Sequence, residues 1–87
     1  MAEDPYASLK LRLDEAHVWP GVYTCKFIMK RELEREFVAI LAGHRYTTRA
    51  SAAGRHIAIT AELFMESSDE VIALYRRAAV FPGVISL

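Results

Sequence analysis

Lys26 is the residue whose position most strongly suggests a binding role. It interrupts a run of apolar and small residues between Val22 and Met29, where strict alternation predicts a β-strand with one apolar face. A lysine in the middle of a strand needs water, a carboxylate or a bound anion, because an unpaired buried ammonium group is costly. We favour a solvated lysine paired with Glu62, with a ligand or partner contact as the alternative and a catalytic Schiff base as the last choice.

The spacing of the histidines and the single cysteine does not predict a metal site. His17, His44 and His56 share no ligand spacing with one another or with Cys25, so we expect them on the surface or in loops. Cys25 lies on the apolar face of its strand, which predicts a buried and unreactive thiol.

Four carboxylates lie close together in the sequence: Glu62, Glu66, Asp69 and Glu70. Ser67 and Glu70 have the spacing of a capping box, and Asp69 lies where the dipole of the following helix favours negative charge. A structural role is therefore favoured over an acid-base pair.

The charge is balanced in total but not along the chain. The 87 residues contain 11 basic and 11 acidic side chains, a formal net charge of zero that argues against a general polyanion binder. Between Phe37 and Ala61, however, there are three arginines (Arg45, Arg49 and Arg55) and no acidic residue. We interpret this segment as a solvated edge that discourages strand pairing, with contact to RNA or an anionic partner as the alternative.

The order of the patterns predicts the fold class. Strands are expected over 22–29, 46–50, 56–65 and 84–87, with helices over 30–42 and from about Ser67 to Ala78. Two strand-helix-strand units joined by a hairpin give an α+β, ferredoxin-like βαββαβ two-layer sandwich, in which two helices cover one face of a four-stranded antiparallel sheet.

The two faces of this sheet can be assigned from residue parity. Cys25, Phe27 and Ile59 are expected under the helices, and the first and third strands are expected at the centre. The candidate contacts on the opposite face are Thr24, Lys26, Arg45, Arg49 and Glu62. Positions 24, 26, 58 and 60 carry no aromatic ring on which RNA bases could stack, so nucleic acid is not the expected partner.

Residues 1–18 allow two interpretations. Leucines at positions 9, 11 and 13 alternate with charged residues as in a strand, whereas Asp4-Pro5 and the following apolar spacing suit a capped helix. We expect a short helix or irregular arm before a single domain over 19–87. The chain has no signal-like start and no apolar run of the roughly 20 residues that span a bilayer, so we expect a cytoplasmic protein without a membrane partner.

Three segments resemble the YbeD-like family, small bacterial proteins of unknown function. They are Trp19-Pro20-Gly21-Val22-Tyr23-Thr24-Cys25-Lys26, the Ser51–Gly54 turn and Asp69-Glu70-Val71-Ile72-Ala73-Leu74-Tyr75. The resemblance covers 19–87 and implies a fold similar to that of ACT domains, which bind amino acids between paired copies. This sequence departs from the family at Met29, where a glycine is usual, and this departure weakens the case for a small-molecule site at that turn. The helix over 30–42 is also shorter than in the family, which implies a different groove beside it.

The expected function is that of a non-catalytic regulatory or adaptor domain, which pairs with itself as a homodimer or with a partner protein. The alternative is an ACT-like sensor in which Lys26 or Arg49 holds the carboxylate of an amino or organic acid, and RNA binding ranks third. No enzyme is expected: the sequence has no phosphate loop, nucleophile elbow or Cys-x-x-Cys, and it lacks the asparagine that acylphosphatase chemistry needs. We expect no cofactor and no metal.

Overall fold

The computed structural model describes residues 5–87, which form three α-helices and four β-strands. The elements are α1 (Ala7–Ala16), β1 (Gly21–Lys30), α2 (Glu34–Val38), β2 (Arg45–Ala50), β3 (His56–Met65), α3 (Ser68–Ala78) and β4 (Ile85–Ser86). The four strands form one antiparallel sheet in the order β2-β3-β1-β4.

The sheet is built around the pairing of β1 with β3. The two strands align over ten residues each, from Gly21 opposite Met65 to Lys30 opposite His56. The prediction that the first and third strands are central is confirmed, as are the α+β class and the four-stranded antiparallel sheet. The complete element order nevertheless differs from a plain βαββαβ sandwich, because a helix precedes the first strand and the last strand is only two residues long.

The core lies on one face of this sheet. The odd-numbered side chains of β1 from Cys25 to Met29 and of β3 from Ile57 to Met65 are buried there, and the same cluster includes Leu13 from α1, Phe37 from α2 and Val71 from α3. All three helices therefore cover one face, and the predicted assignment of the two faces is confirmed for both central strands. Burying this face against helices is the dominant favourable contribution to folding.

The predicted helix over 30–42 is wrong in its continuity. Its α-helical part covers only five residues, and the 3₁₀ turns Arg31–Leu33 and Ala39–Leu41 flank it. Phe37 and Leu41 still lie on the buried side as the spacing predicts. The amide of Arg31 donates to the carbonyl of Arg55 at 3.0 Å, which extends the β1–β3 pairing up to the residue where the first 3₁₀ turn begins.

The helical layer does not extend over β2. All six residues of this strand are exposed, including those on the side that the helices occupy elsewhere. β2 therefore belongs to the sheet through its pairing with β3 alone, as an edge strand.

The N-terminal region forms a helix rather than a strand. α1 buries Leu13, and Tyr6 and Leu9 pack against the core. The cap predicted at Asp4 lies outside the described residues. After α1 the chain turns sharply, and Gly21 has no room for a side chain there, because an added Cβ would lie 2.8 Å from the carbonyl oxygen of Val18.

Truncation of Phe37 tests how much the packing of the short α2 on the sheet contributes to stability. Its ring is 0% exposed and lies between Phe27 and Phe81, at centroid distances of 4.9 and 5.3 Å. We expect Phe37→Ala to lower the free energy of unfolding by about 3 to 5 kcal/mol in urea denaturation. The exposed neighbour Arg35 on α2 is the control, and Arg35→Ala is expected to change stability by about 0.5 kcal/mol or less. Equal losses for the two variants would contradict the assignment of Phe37 as the anchor.

Candidate functional site

The sheet face turned away from the helices, called the open face below, brings the predicted site residues together. The register aligns three rows across β2, β3 and β1: Arg45-Glu62-Thr24, Thr47-Thr60-Lys26 and Arg49-Ala58-Ile28. All five candidate contacts lie in these adjacent rows. They come from three strands, so only the sheet pairing places them side by side.

The predicted pairing of Lys26 with Glu62 is wrong. Lys26 lies opposite Thr60, whereas Glu62 lies opposite Thr24 and Arg45, so the two charges are only diagonal neighbours. Both ion pairs found among residues 5–87 are made by Lys10 instead. Lys26 is exposed, and hydration is sufficient to satisfy its ammonium group without a carboxylate.

Basic and hydroxyl groups line a shallow depression in the open face. It has a volume of about 340 Å³ and is lined by Lys26, Thr47, Thr48, Arg49, Ala58 and Thr60. No carboxylate is part of this lining. An ammonium group, a guanidinium group and threonine hydroxyls are donors that suit a carboxylate or another oxyanion.

Exposed apolar side chains lie at both ends of the open face, and the choice of site residues from the sequence missed them. Phe64 and Val22 lie opposite each other at one end and are 57% and 63% exposed. Ile85, next to Ile28 at the other end, is also exposed. Residue parity locates Phe64 on this face, since it shares the face of Glu62. The expectation that positions 24, 26, 58 and 60 carry no aromatic ring is unaffected, because Phe64 lies beyond those positions at the end of the strand.

A lysine-serine pair between α1 and α3 has a structural role. The Nζ of Lys10 donates to the Oγ of Ser68 at 2.9 Å and lies 3.1 Å from Asp69 and 3.7 Å from Asp14. The hydrogen bond to Asp69, followed by the attraction of the carboxylates, raises the pKa of Lys10 against the effect of desolvation, so the amine stays protonated and cannot act as a general base. Ser68 is also 1% exposed and out of reach of a substrate. The cluster attaches α1 to the start of α3.

The predicted capping box is also corrected. Ser67 is the N-cap of α3, but its side chain makes no capping hydrogen bond. The carboxylate of Glu70 instead accepts from the amide of Glu66 at 2.9 Å, one residue before the cap. Asp69 is paired with Lys10, so both acidic residues at this helix start have structural partners.

A second polar contact lies beside a cavity near β4. The hydroxyl groups of Tyr23 and Tyr75 are 3.0 Å apart, and both residues line a cavity of about 390 Å³ between α1, α3 and β4. Burial, followed by the hydrogen bond to Tyr23, raises the pKa of Tyr75, so the Tyr75 hydroxyl stays neutral at physiological pH.

The histidines and Cys25 do not converge on a reactive centre. His17, His44 and His56 are exposed, as expected, and Cys25 is buried, as predicted. Among residues 5–87 no group of three or more histidine, cysteine, aspartate or glutamate side chains is placed to hold a metal ion. None of the helices in the same range is both long enough and apolar enough to cross a membrane.

The comparison with protein-family models finds no match, and the comparisons with curated proteins and with solved structures find none either. The resemblance to the YbeD-like family therefore stays a prediction from short segments of sequence.

The buried thiol predicts how stability changes at alkaline pH. Desolvation raises the pKa of Cys25 from 9.0 to about 11, so above pH 9 the unfolded chain loses a proton that the folded chain retains. The free energy of unfolding should therefore fall between about pH 9 and pH 11, by up to about 1.4 kcal/mol per pH unit for this group.

Urea denaturation at several pH values between 8 and about 11 measures this slope. Cys25→Ala should give a shallower decline than the wild type, while Tyr75 continues to contribute in both proteins near the upper limit. Identical slopes for the two proteins would contradict the role of the thiol.

Proposed function

We propose that this chain is a non-catalytic adaptor domain that binds an acidic partner protein through its open face and β2. The observation that supports the proposal is the set of exposed cations on this face. Lys26, Arg45 and Arg49 take part in no ion pair within residues 5–87, and the depression that Lys26 and Arg49 line has no carboxylate in its lining. Such a surface attracts acidic partners during association and repels basic ones.

The apolar ends of the open face favour a protein over a small solute. Phe64 with Val22 at one end and Ile85 at the other flank the basic centre. Aromatic side chains and arginine are enriched in protein interfaces, and a partner protein can cover both ends at once. A second copy fits less well, because a symmetric contact through this centre would bring like charges together.

We also propose that the domain is a shortened variant of the ferredoxin-like sandwich, as the resemblance to the YbeD-like family implies. The strand order with β1 and β3 at the centre and the helices on one face supports this relation. The added α1 and the short α2 and β4 are its departures from the complete fold.

The second candidate function is that of a sensor for a small carboxylate, such as an amino or organic acid. The depression lined by Lys26, Arg49 and Thr60 favours it, because these donors converge on a space of about 340 Å³.

Charge reversal of the basic centre tests the adaptor function. We expect the wild-type domain, used as bait in a cell extract, to retain a partner that the double variant Lys26→Glu/Arg49→Glu binds at least about tenfold more weakly, because attraction becomes repulsion. The control is Arg35→Glu, a change of the same kind at an exposed site on the helical side. Calorimetry with the purified partner gives the affinities. Equal binding by the double variant and the control would refute the proposal.

A thermal-shift screen separates the sensor from the adaptor. A small acid present at 100 times its dissociation constant stabilises the folded state by about 2.7 kcal/mol, so the melting temperature should rise by about 10 °C or more for a domain of this size. For a sensor, Lys26→Glu abolishes the rise. The absence of any shift among amino and organic acids would refute the sensor function.

A further inference from the structure

The outer edge of β2 has backbone groups that point away from the sheet. The amide of Ser51, just after this strand, donates to the carbonyl of His56 at 2.9 Å, so the backbone of Ser51 faces β3. Residues of an antiparallel pair alternate between those that bond to the neighbouring strand and those that do not. Every second residue before Ser51 has the same orientation, so the backbone groups of Arg49, Thr47 and Arg45 also bond to β3. The amides and carbonyls of the intervening residues, Tyr46, Thr48 and Ala50, therefore point outward.

These outward groups form a regular template for another strand. The pairing of β2 with β3 runs without a bulge from Arg45 to Ala50, and β2 contains no proline. The helical layer does not cover it, and Tyr46 is 40% exposed on that side. Bulges, proline and covering elements are the usual protection of an edge strand, and β2 has none of these. Its protection is limited to the charge of Arg45 and Arg49.

That charge identifies the occupant. Two copies paired through β2 would bring their arginines close together, and like charges on adjacent strands are destabilising. An acidic segment would instead be attracted, because Arg49 lies opposite Ala58, and Arg45 makes no ion pair within residues 5–87 even with Glu62, the residue opposite it. Arg45 and Arg49 lie on the open face four residues apart, with Thr47 between them.

We propose that β2 accepts an extended acidic segment of a partner protein as a fifth strand of the sheet. The inference rests on the proposed adaptor function and specifies how the partner binds. The outward groups of Tyr46, Thr48 and Ala50 bond to the backbone of the added strand. Acidic side chains at alternate positions of this strand lie on the open face beside Arg45 and Arg49. The intervening side chains lie beside Tyr46 and are apolar. Backbone bonds supply affinity in strand addition, and the side chains supply specificity.

Hydrogen exchange with a peptide probe tests the geometry. The probe is a short soluble peptide in which glutamate alternates with valine, and its control has lysine in place of glutamate. We expect the glutamate peptide to slow amide exchange at Tyr46, Thr48 and Ala50 by about tenfold or more, because these groups become hydrogen-bonded. The lysine peptide should leave all three rates unchanged.

A proline substitution tests the same contact independently. Thr48→Pro removes the central outward amide, and an edge strand tolerates proline where the amide faces solvent. Its matched control, Thr48→Val, retains the amide and loses only the hydroxyl. Thermal melting of both variants establishes that each is folded. We expect Thr48→Pro to bind the glutamate peptide about tenfold more weakly than Thr48→Val does.

The outcomes separate this inference from the proposed function. If the glutamate peptide binds in a manner that requires Lys26 and Arg49, but the three amides stay unprotected and Thr48→Pro binds normally, strand addition is refuted and the adaptor function stands. The absence of peptide binding to the wild type also refutes strand addition. It leaves the adaptor function standing, because the capture experiment tests that function separately. Equal protection by the lysine peptide, or protection by a single-stranded RNA oligonucleotide alone, refutes the acidic peptide as the occupant.

Discussion

The structure depends on the antiparallel pairing of β1 with β3. These strands bury their odd-numbered side chains under the helices, and the period of two then places every even-numbered side chain on the open face. A shift of one residue in register would move Lys26 into the core and Phe27 into solvent. The burial of Phe27 and its neighbours thus determines the position of the charged groups on the opposite face, although the two sets of side chains do not touch.

The narrow helical layer also determines which parts of the sheet are exposed. α2 is anchored through Phe37 over the centre of the sheet, and its five α-helical residues leave β2 uncovered on both faces. The neutral total charge of the chain therefore conceals an uneven surface. The basic residues of β2 adjoin an exposed edge, whereas the acidic residues Asp69 and Glu70 are engaged at the start of α3.

Much of the sheet was predictable from the sequence because apolar residues at every second position of a strand show which face is buried. The bounds of β3 were predicted to the residue, and those of β1 within one residue at each end. Long-range contacts were not predictable in this way. The Lys10 cluster, for example, depends on the approach of α1 to α3, and the 3₁₀ turns within 30–42 leave no mark in the apolar spacing. The expected pair of Lys26 with Glu62 does not form because the register places Lys26 opposite Thr60. The alternation within one strand shows which face a residue lies on but not which residue of the neighbouring strand lies opposite it.

The exposure of β2 also affects how the domain opens. Because all six residues of this strand are exposed, detaching it from β3 uncovers little apolar surface on β2 itself and leaves the pairing of β1 with β3 intact. The free energy of such a partial opening is well below that of global unfolding, as is general for segments with few buried contacts. The strand that we propose to bind a partner is thus also one that can separate from the fold without unfolding the rest. Any molecule that binds it therefore changes the cooperativity of the domain by joining an element of low local stability to the rest.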